Sequence, residues 1–469
     1  MTEPVSISDM KIAVIGSGIG GLSAAWFLSQ KHDVTIYEAH DSLGMGAHAV
    51  DIPLQASPHT LGESISEQKK ACARVDVPMR VFFPEYYPTL MKIYNQAGVE
   101  VETLQYSASF SSVEGNLLFR YRNYPVKGRQ KPFLYPQDIV NPSVVALGAS
   151  VYRLLRQLSS ESALDAMLPN ETLGELLERL AIPDQVAQHF LLPAYAGICT
   201  CSYANLLAYP AKLIVSYINS GLIGAKMHRA KLGVDEVMAR LSAHVSEVRL
   251  GTPIEQVIRD DKGVTITTAL GEVERFDHVV IASQANQAVK MMKAIDAKEK
   301  EALTAFNYEG FEVIIHGDEA LGPRKKSWWA PVNYVLQDNS SGPMVTIPLN
   351  AVHEALANSA PVFQTWNPFI EPRPESVYHR VKLFRPIMDA DALRGQALIE
   401  QLHHETHRRV WFCGSYASPG IPLQESAAQS ALTISDLIER FDYSQHKTKK
   451  TADLKHSQRA SSSQATVRD

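Results

Sequence analysis

Four cysteines in 469 residues are too few and too irregularly placed for a disulfide framework or a four-cysteine zinc site. Cys199-Thr200-Cys201 is one residue short of a Cys-x-x-Cys redox pair, so Cys72, Cys199, Cys201 and Cys413 are all expected to be core or pocket thiols in a reducing compartment. The segment Met1 to Met10 lacks the basic-then-apolar order of a secretory leader, and a cytoplasmic location is expected. No run of ~20 apolar residues is present. The nearest, Leu206 to Ala225, is broken by Pro210, Lys212, Ser216, Asn219 and Ser220 and is expected to be a buried, pocket-lining helix rather than an integral membrane span. A basic excess is also missing: Lys+Arg 45 against Asp+Glu 50 gives a net charge of -5. Such a chain has no long-range attraction for nucleic acid or an anionic membrane, so the expected partner is a small molecule.

The chain has an ordinary core-forming composition, 45% hydrophobic and 20% charged, with length for two or three domains at ~150 residues each. Its first strong pattern is an apolar strand, Lys11 to Ile15, followed by Gly16-Ser17-Gly18-Ile19-Gly20-Gly21. A run of helix formers from Leu22 to Ser29, a second strand from Asp33 to Tyr37, and Glu38-Ala39 come next. Strand, glycine turn, helix, strand and acid at this spacing make a βαβ dinucleotide fingerprint. Gly16 permits the tight turn, Gly18 lets the backbone approach a pyrophosphate, and Gly21 allows close helix–strand packing. Unpaired N–H groups at the helix start attract the diphosphate. Glu38 can accept both ribose hydroxyls and would repel a 2′-phosphate.

The rest of the chain predicts an α/β protein with a Rossmann-like nucleotide-binding domain, a parallel sheet plus a β-meander, and an inserted mixed α+β substrate domain. Nucleotide-binding segments are expected over 1–75, 228–290 and 405–442, substrate segments over 76–227 and 291–404, and a disordered polar tail over 443–469. Helices are expected from Tyr86 to Gln96 and Ser143 to Leu158, and a capping box at Thr172 to Glu175 opens another. Four meander strands are expected between Ser246 and Ser283, beginning at Glu247, Ile254, Gly263 and His278. The final strand, Arg409 to Cys413, leads through Gly414-Ser415 and Gly420 into a helix from about Gln424 to Arg440.

Three features favour FAD over NAD: the second glycine turn Gly44-Met45-Gly46, the interposed meander, where Ile254 sits beside the adenosine, and the returning C-terminal strand–Gly–helix. In that last element Gly414 lets the chain pass close to the cofactor. Glu425, Ser426 and Ala427 open a helix whose dipole would stabilise a reduced flavin. At Gly16-x-Gly18-x-x-Gly21, Glu38, Leu43-Gly44 and Gly414 with Glu425-Ser-Ala-Ala, the sequence resembles the flavin-containing amine oxidase and phytoene desaturase superfamily. Within it, Val75 to Leu90, Phe190 to Pro193, His316 to Asp318 and Trp329 to Tyr334 resemble NAD/FAD-binding proteins related to the N-terminal half of plant cyclopropane-fatty-acid synthases. The resemblance implies FAD and an oxidoreductase that moves hydride from a small apolar or amine-bearing substrate to flavin N5. Met45 and Ser415 depart from the usual pattern.

His48, Tyr195, Asn333 and Trp366 are the candidates for touching substrate, and Arg80 could meet a substrate carboxylate. Two other readings stay open: a redox-neutral isomerase or desaturase-like enzyme on unsaturated lipid or isoprenoid, and a flavin-binding protein without turnover. No metal is expected, because His404-Glu-Thr-His407 is one residue short of the zinc motif His-Glu-x-x-His.

Overall fold

The computed structural model describes residues 10–54, 72–127, 129–159 and 161–440, and the expected tail lies outside the described residues. Lys11–Ile15, Asp33–Tyr37, Glu247–Arg249, His278–Ile281 and Val410–Phe412 form a five-stranded sheet in which every neighbouring pair is parallel. Its centre is almost wholly apolar: Ile12, Ala13, Val14, Val279 and Val280 are fully buried. That is the composition a parallel sheet needs when helices cover both faces.

The meander expectation is half corrected. Glu247–Arg249 and His278–Ile281 join the parallel sheet, while only Ile254–Asp260, Gly263–Thr268 and Val273–Phe276 make an antiparallel sheet. The reason for His278–Ile281 lies in its residues, buried at every position and unsuited to a half-exposed meander. Glu247–Arg249 is held by its neighbour instead, with the Glu38 amide donating to the Arg249 carbonyl at 2.9 Å.

A second sheet of eight strands runs in the order 377–386, 308–316, 363–366, 344–348, 332–336, 107–112, 117–126, 129–134. Helices from the 142–219 region pack around it. Pro142–Leu158 opens with Asn141 accepting from the Ser143 amide at 3.1 Å, and Leu173–Arg179 opens with the expected capping box. The expected single helix over Leu206 to Ala225 is two, Tyr203–Ala208 and Ala211–Asn219, because Pro210 interrupts the ladder between them. Among the cysteines, Cys199, Cys201 and Cys413 are buried as expected, whereas Cys72 is exposed on a two-stranded ribbon. Among the described residues no helix is long and apolar enough to cross a membrane.

Candidate functional site

The first strand delivers the chain into the glycine turn at the edge where strand order reverses, the place where open α/β sheets bind ligands. Gly16 has φ +98°, and a side chain there would meet the Ala282 carbonyl at 3.1 Å. A Cβ on Gly21 would lie 2.0 Å from the Gly16 carbonyl oxygen, so the helix can begin only with glycine at that position. Gly18 differs: a Cβ there would meet nothing within 4 Å and would point into open space. The helix Ile19–Leu28 has no side-chain cap at Gly18 and no acid in its first turn, so its N-terminal dipole is uncompensated.

The Glu38 carboxylate is buried at the end of the second strand. One oxygen accepts from the Ser17 amide at 2.9 Å and from the Ser17 hydroxyl, and the other accepts from the His40 amide at 3.0 Å. One lone pair therefore remains on Oε1, room for one ribose hydroxyl where the sequence suggested two. Ser17 is the residue that sequence reasoning missed. Its hydroxyl also accepts from the Gly44 amide at 2.7 Å and so ties the two glycine turns together. A Cβ on Gly44 would lie 3.2 Å from the Gly18 nitrogen, so this junction too depends on glycine. Gly46 is a packing position, where a Cβ would strike the Met238 methyl at 2.5 Å, and Met45 is buried in the core. Ala39 is exposed, and Ile254 begins its strand just after Thr252, whose amide donates to the Glu38 carbonyl at 2.8 Å.

The returning C-terminal segment closes the other side. Gly414 has φ +145°, and its amide donates to the Ser430 hydroxyl at 2.9 Å. Ser415 and Ala427 line a cavity of about 660 Å³ that also takes in Gly18, Ile19 and Gly20. Glu425 and Ser426 are corrected. Glu425 turns away and accepts from the amides of Thr89 and Leu90, both at 3.0 Å, capping the helix Pro88–Ala97 from a distant part of the chain. Ser426 spends its hydroxyl on the Ile421 carbonyl at 2.7 Å.

From the glycine cradle the cavity continues between the two sheets, past His48, Arg80, Tyr106, Tyr217, Tyr334 and Trp366. Of the four candidates for substrate contact, His48 and Trp366 reach this wall. His48 is half-buried, with ring centroids 6.2 Å from His40 and 6.3 Å from His379. Burial first, then His379, His40 and Arg80, lower its pKa below the ordinary 6.5 and favour the neutral imidazole. The Trp366 indole N–H is buried without a partner. Tyr195 and Asn333 stand behind the wall. Tyr195 is a core ring, 6.3 Å from Tyr217, with its phenol pKa pushed up by burial. Asn333 accepts from Ser109 at 2.8 Å and Ala330 at 2.8 Å, and donates to Ala330 at 2.7 Å and Thr346 at 3.0 Å. With all four bonds made, it pins strands together and has nothing left for a ligand.

Among the described residues, the wall carries Arg80, Lys382 and Arg385 but no aspartate or glutamate. Arg80 donates to the Pro78 carbonyl at 3.3 Å and Arg385 to the Ile198 carbonyl at 2.8 Å. Burial lowers the Arg80 pKa, with Asp76 acting the other way. Glu309 pairs in register with Arg385, yet its carboxylate is held by Ser202 at 3.0 Å and Asn205 at 2.7 Å, off the cavity.

The parallel sheet, an open glycine cradle, a buried carboxylate at the end of the second strand and a returning Gly414 segment are those of an FAD-binding flavoprotein. The residues fit the cofactor at each point: Gly18 leaves its space free, the first helix offers its amides, and Glu38 keeps an acceptor. The chain belongs to the flavin-containing amine oxidoreductase family, whose profile matches residues 19–315, more than half its length. It is an FAD-dependent oxidoreductase. No curated protein sequence matches it significantly. Among solved structures, a triple-mutant form of putrescine oxidase is similar with TM-score 0.63 at 12% identity, covering 92% of this chain and 99% of that one. A CLA-producing fatty acid isomerase from P. acnes is similar with TM-score 0.59 at 16% identity, covering 93% and 100%. Cyclohexylamine oxidase from Brevibacterium oxydans is similar with TM-score 0.60 at 14% identity, covering 92% and 100%. At these identities the likeness is one of fold.

Proposed function

We propose that this protein oxidises an amphipathic substrate bearing a carboxylate. The observation that carries this reading is the cavity wall, which among the described residues has three basic side chains, no acidic one and a largely aromatic and aliphatic remainder. Among the described residues Arg80 feels Asp76 but makes no direct ion pair, and an anionic guest would offset the cost of its burial. An ammonium-bearing guest would meet like charge and find no counter-ion. When bound, FAD accepts hydride at flavin N5. Arg80 binds the carboxylate, and Tyr106, Tyr217, Leu222, Met227 and Tyr334 surround the apolar body and exclude water. His48, held neutral, takes a proton from the substrate, and the unpartnered Trp366 N–H donates to a polar atom in the cavity. An apolar acid also agrees with the narrower sequence resemblance to proteins related to cyclopropane-fatty-acid synthases.

Arg80→Gln is expected to raise KM for a long-chain monocarboxylate roughly 10- to 100-fold, the range for losing a hydrogen bond to a charged group. Bound FAD and kcat should change little. Steady-state kinetics with a fatty acid beside the matched alkylamine checks this, and preference for the amine would overturn the reading.

The same cavity suits redox-neutral isomerisation of an unsaturated acid, a reading favoured by its aliphatic lining residues Leu104, Leu222, Met227, Val345, Ile347 and Val352. Anaerobic mixing separates the alternatives. Lasting bleaching of the flavin marks oxidation, and product formed without net bleaching marks isomerisation. Substrate binding with neither outcome, across acids and amines alike, marks a flavin-binding protein without turnover.

A further inference from the structure

We propose that one face of the eight-stranded sheet docks on an anionic lipid surface. The hairpin of Leu117–Val126 and Arg129–Leu134 forms the outer edge of that sheet. Alternation puts Arg122, Tyr124 and Val126 on one face, with Phe133 opposite Arg122 and Lys131 opposite Tyr124. All five are exposed, Phe133 by 50%. Arg122 lies over the Tyr124 ring at 5.5 Å, and that ring meets Phe133 at 6.0 Å. The other face of the hairpin is covered at its base, where Leu134 packs on Gly148 of the helix Pro142–Leu158 and Asn123 donates to the Ile223 carbonyl at 2.6 Å, while Pro125 and Pro132 are exposed.

Arg120, two residues before Arg122 and on the same face, joins this hairpin to two further segments. Its buried guanidinium donates to Asp138 at 3.0 Å and to the Ser327 carbonyl, and it stacks on Tyr135 at 4.1 Å. Asp138 is followed by Ile139 and Val140, which are 60% and 85% exposed. Ser327 sits in the basic, tryptophan-bearing run Arg324-Lys325-Lys326-Ser327-Trp328, with Lys325 over the Trp328 ring at 4.8 Å. The segments that meet at Arg120 carry the exposed cations Arg122, Lys131, Arg324, Lys325 and Lys326. Acids in and around these segments include Asp138, paired with the buried Arg120, Glu319, paired with Lys326 at 2.6 Å, and Glu114 beside Arg324.

Aliphatic side chains this exposed, interleaved with aromatics and a surplus of cations, match what a protein needs to lie in the headgroup region of an anionic leaflet. An acidic protein or nucleic acid would be met by the cations alone and would leave Ile139, Val140 and Phe133 uncovered. The net charge of -5 conceals this face, because the acids that outnumber the cations lie elsewhere.

The test is flotation of the FAD-loaded full chain with vesicles of phosphatidylcholine alone or with one third phosphatidylglycerol. Binding is expected only to the anionic vesicles and should be lost in high salt. Arg122→Gln with Lys325→Gln should lower partition roughly 25-fold, and Phe133→Ser with Val140→Ser should also release the protein. Tyr152→Ser, an exposed aromatic on the helix behind the hairpin, should bind like the wild type. Flavin absorbance and thermal melting confirm that each variant is folded and loaded. Absence of wild-type flotation on the anionic vesicles would overturn the proposal. So would salt-sensitive binding that survives Phe133→Ser with Val140→Ser, which would mark a polyanion contact made by charge alone.

Discussion

Gly18→Val is expected to give a folded, colourless protein. A Cβ at this position meets no protein atom within 4 Å, and the backbone there, φ −64° and ψ 178°, is open to valine. The protein itself has no reason to resist the change. The space the side chain enters is that of the cofactor's diphosphate, which must approach the backbone here to reach the amides of the helix Ile19–Leu28. Overpacking a close approach of this kind costs up to ~3 kcal/mol, so FAD affinity should fall by about 100-fold. Visible absorbance of the purified protein and fluorescence titration with FAD measure the loss, and thermal melting shows that folding is kept. Gly21→Ala is the contrasting control. Its Cβ would sit 2.0 Å from the Gly16 carbonyl oxygen, so it should lose folded protein as well as colour. Full flavin content in Gly18→Val would mean that the diphosphate does not cross this turn.

Stability is expected to be greatest above about pH 6.5 and to fall steeply as the pH drops from there toward 4. Three buried histidines contribute to this. His316 accepts from the Asp318 amide at 3.1 Å through Nδ1, His403 from the Phe412 amide at 3.1 Å through Nε2, and His278 from the Trp411 indole at 3.2 Å through Nδ1. Protonating any of these nitrogens sets donor against donor in a buried site. Burial, the first cause in each case, lowers the pKa to about 4 for His316 and to about 3 for His403 and His278. The folded values lie below the unfolded value of 6.5, so the unfolded chain binds more protons as the pH falls through 6.5. Unfolding is favoured progressively until the folded values are reached. At ~1.4 kcal/mol per unit, each histidine contributes on the order of 3 kcal/mol to the loss between pH 6.5 and 4. Urea unfolding at stepped pH measures the slope. His316→Gln, which keeps a neutral acceptor beside Asp318, should flatten it by about one proton, and an unchanged slope would remove His316 from the account.

The nucleotide-binding fold and its FAD cofactor were legible because their signals are local. Gly16, Gly18, Gly21 and Glu38 act through backbone geometry and spacing within one βαβ unit, and neighbours along the chain suffice to specify it. The capping box at Thr172 was legible for the same reason. Glu425 was misread because nothing near it in the chain shows that the amides of Thr89 and Leu90 will lie against its carboxylate. Asn333 and Tyr195 were misread similarly: a polar or aromatic residue in an inserted segment shows its type in the sequence but not whether its bonds are already made. Glu247–Arg249 belonged to the parallel sheet for a reason outside its own residues, namely the free edge of Asp33–Tyr37.

The sequence by itself determined the glycine turn, the acid after the second strand and hence a dinucleotide cofactor, since these depend on short-range backbone sterics and a helix dipole. Tertiary structure alone decided that Arg80, Lys382 and Arg385 share a wall without a carboxylate among the described residues, and that the segments of Asp138 and Ser327 meet the hairpin at Arg120. Charge and apolar surface act through space, falling off over ångströms rather than residues. Groups hundreds of positions apart therefore acquire a joint meaning only when the sheets have brought them together.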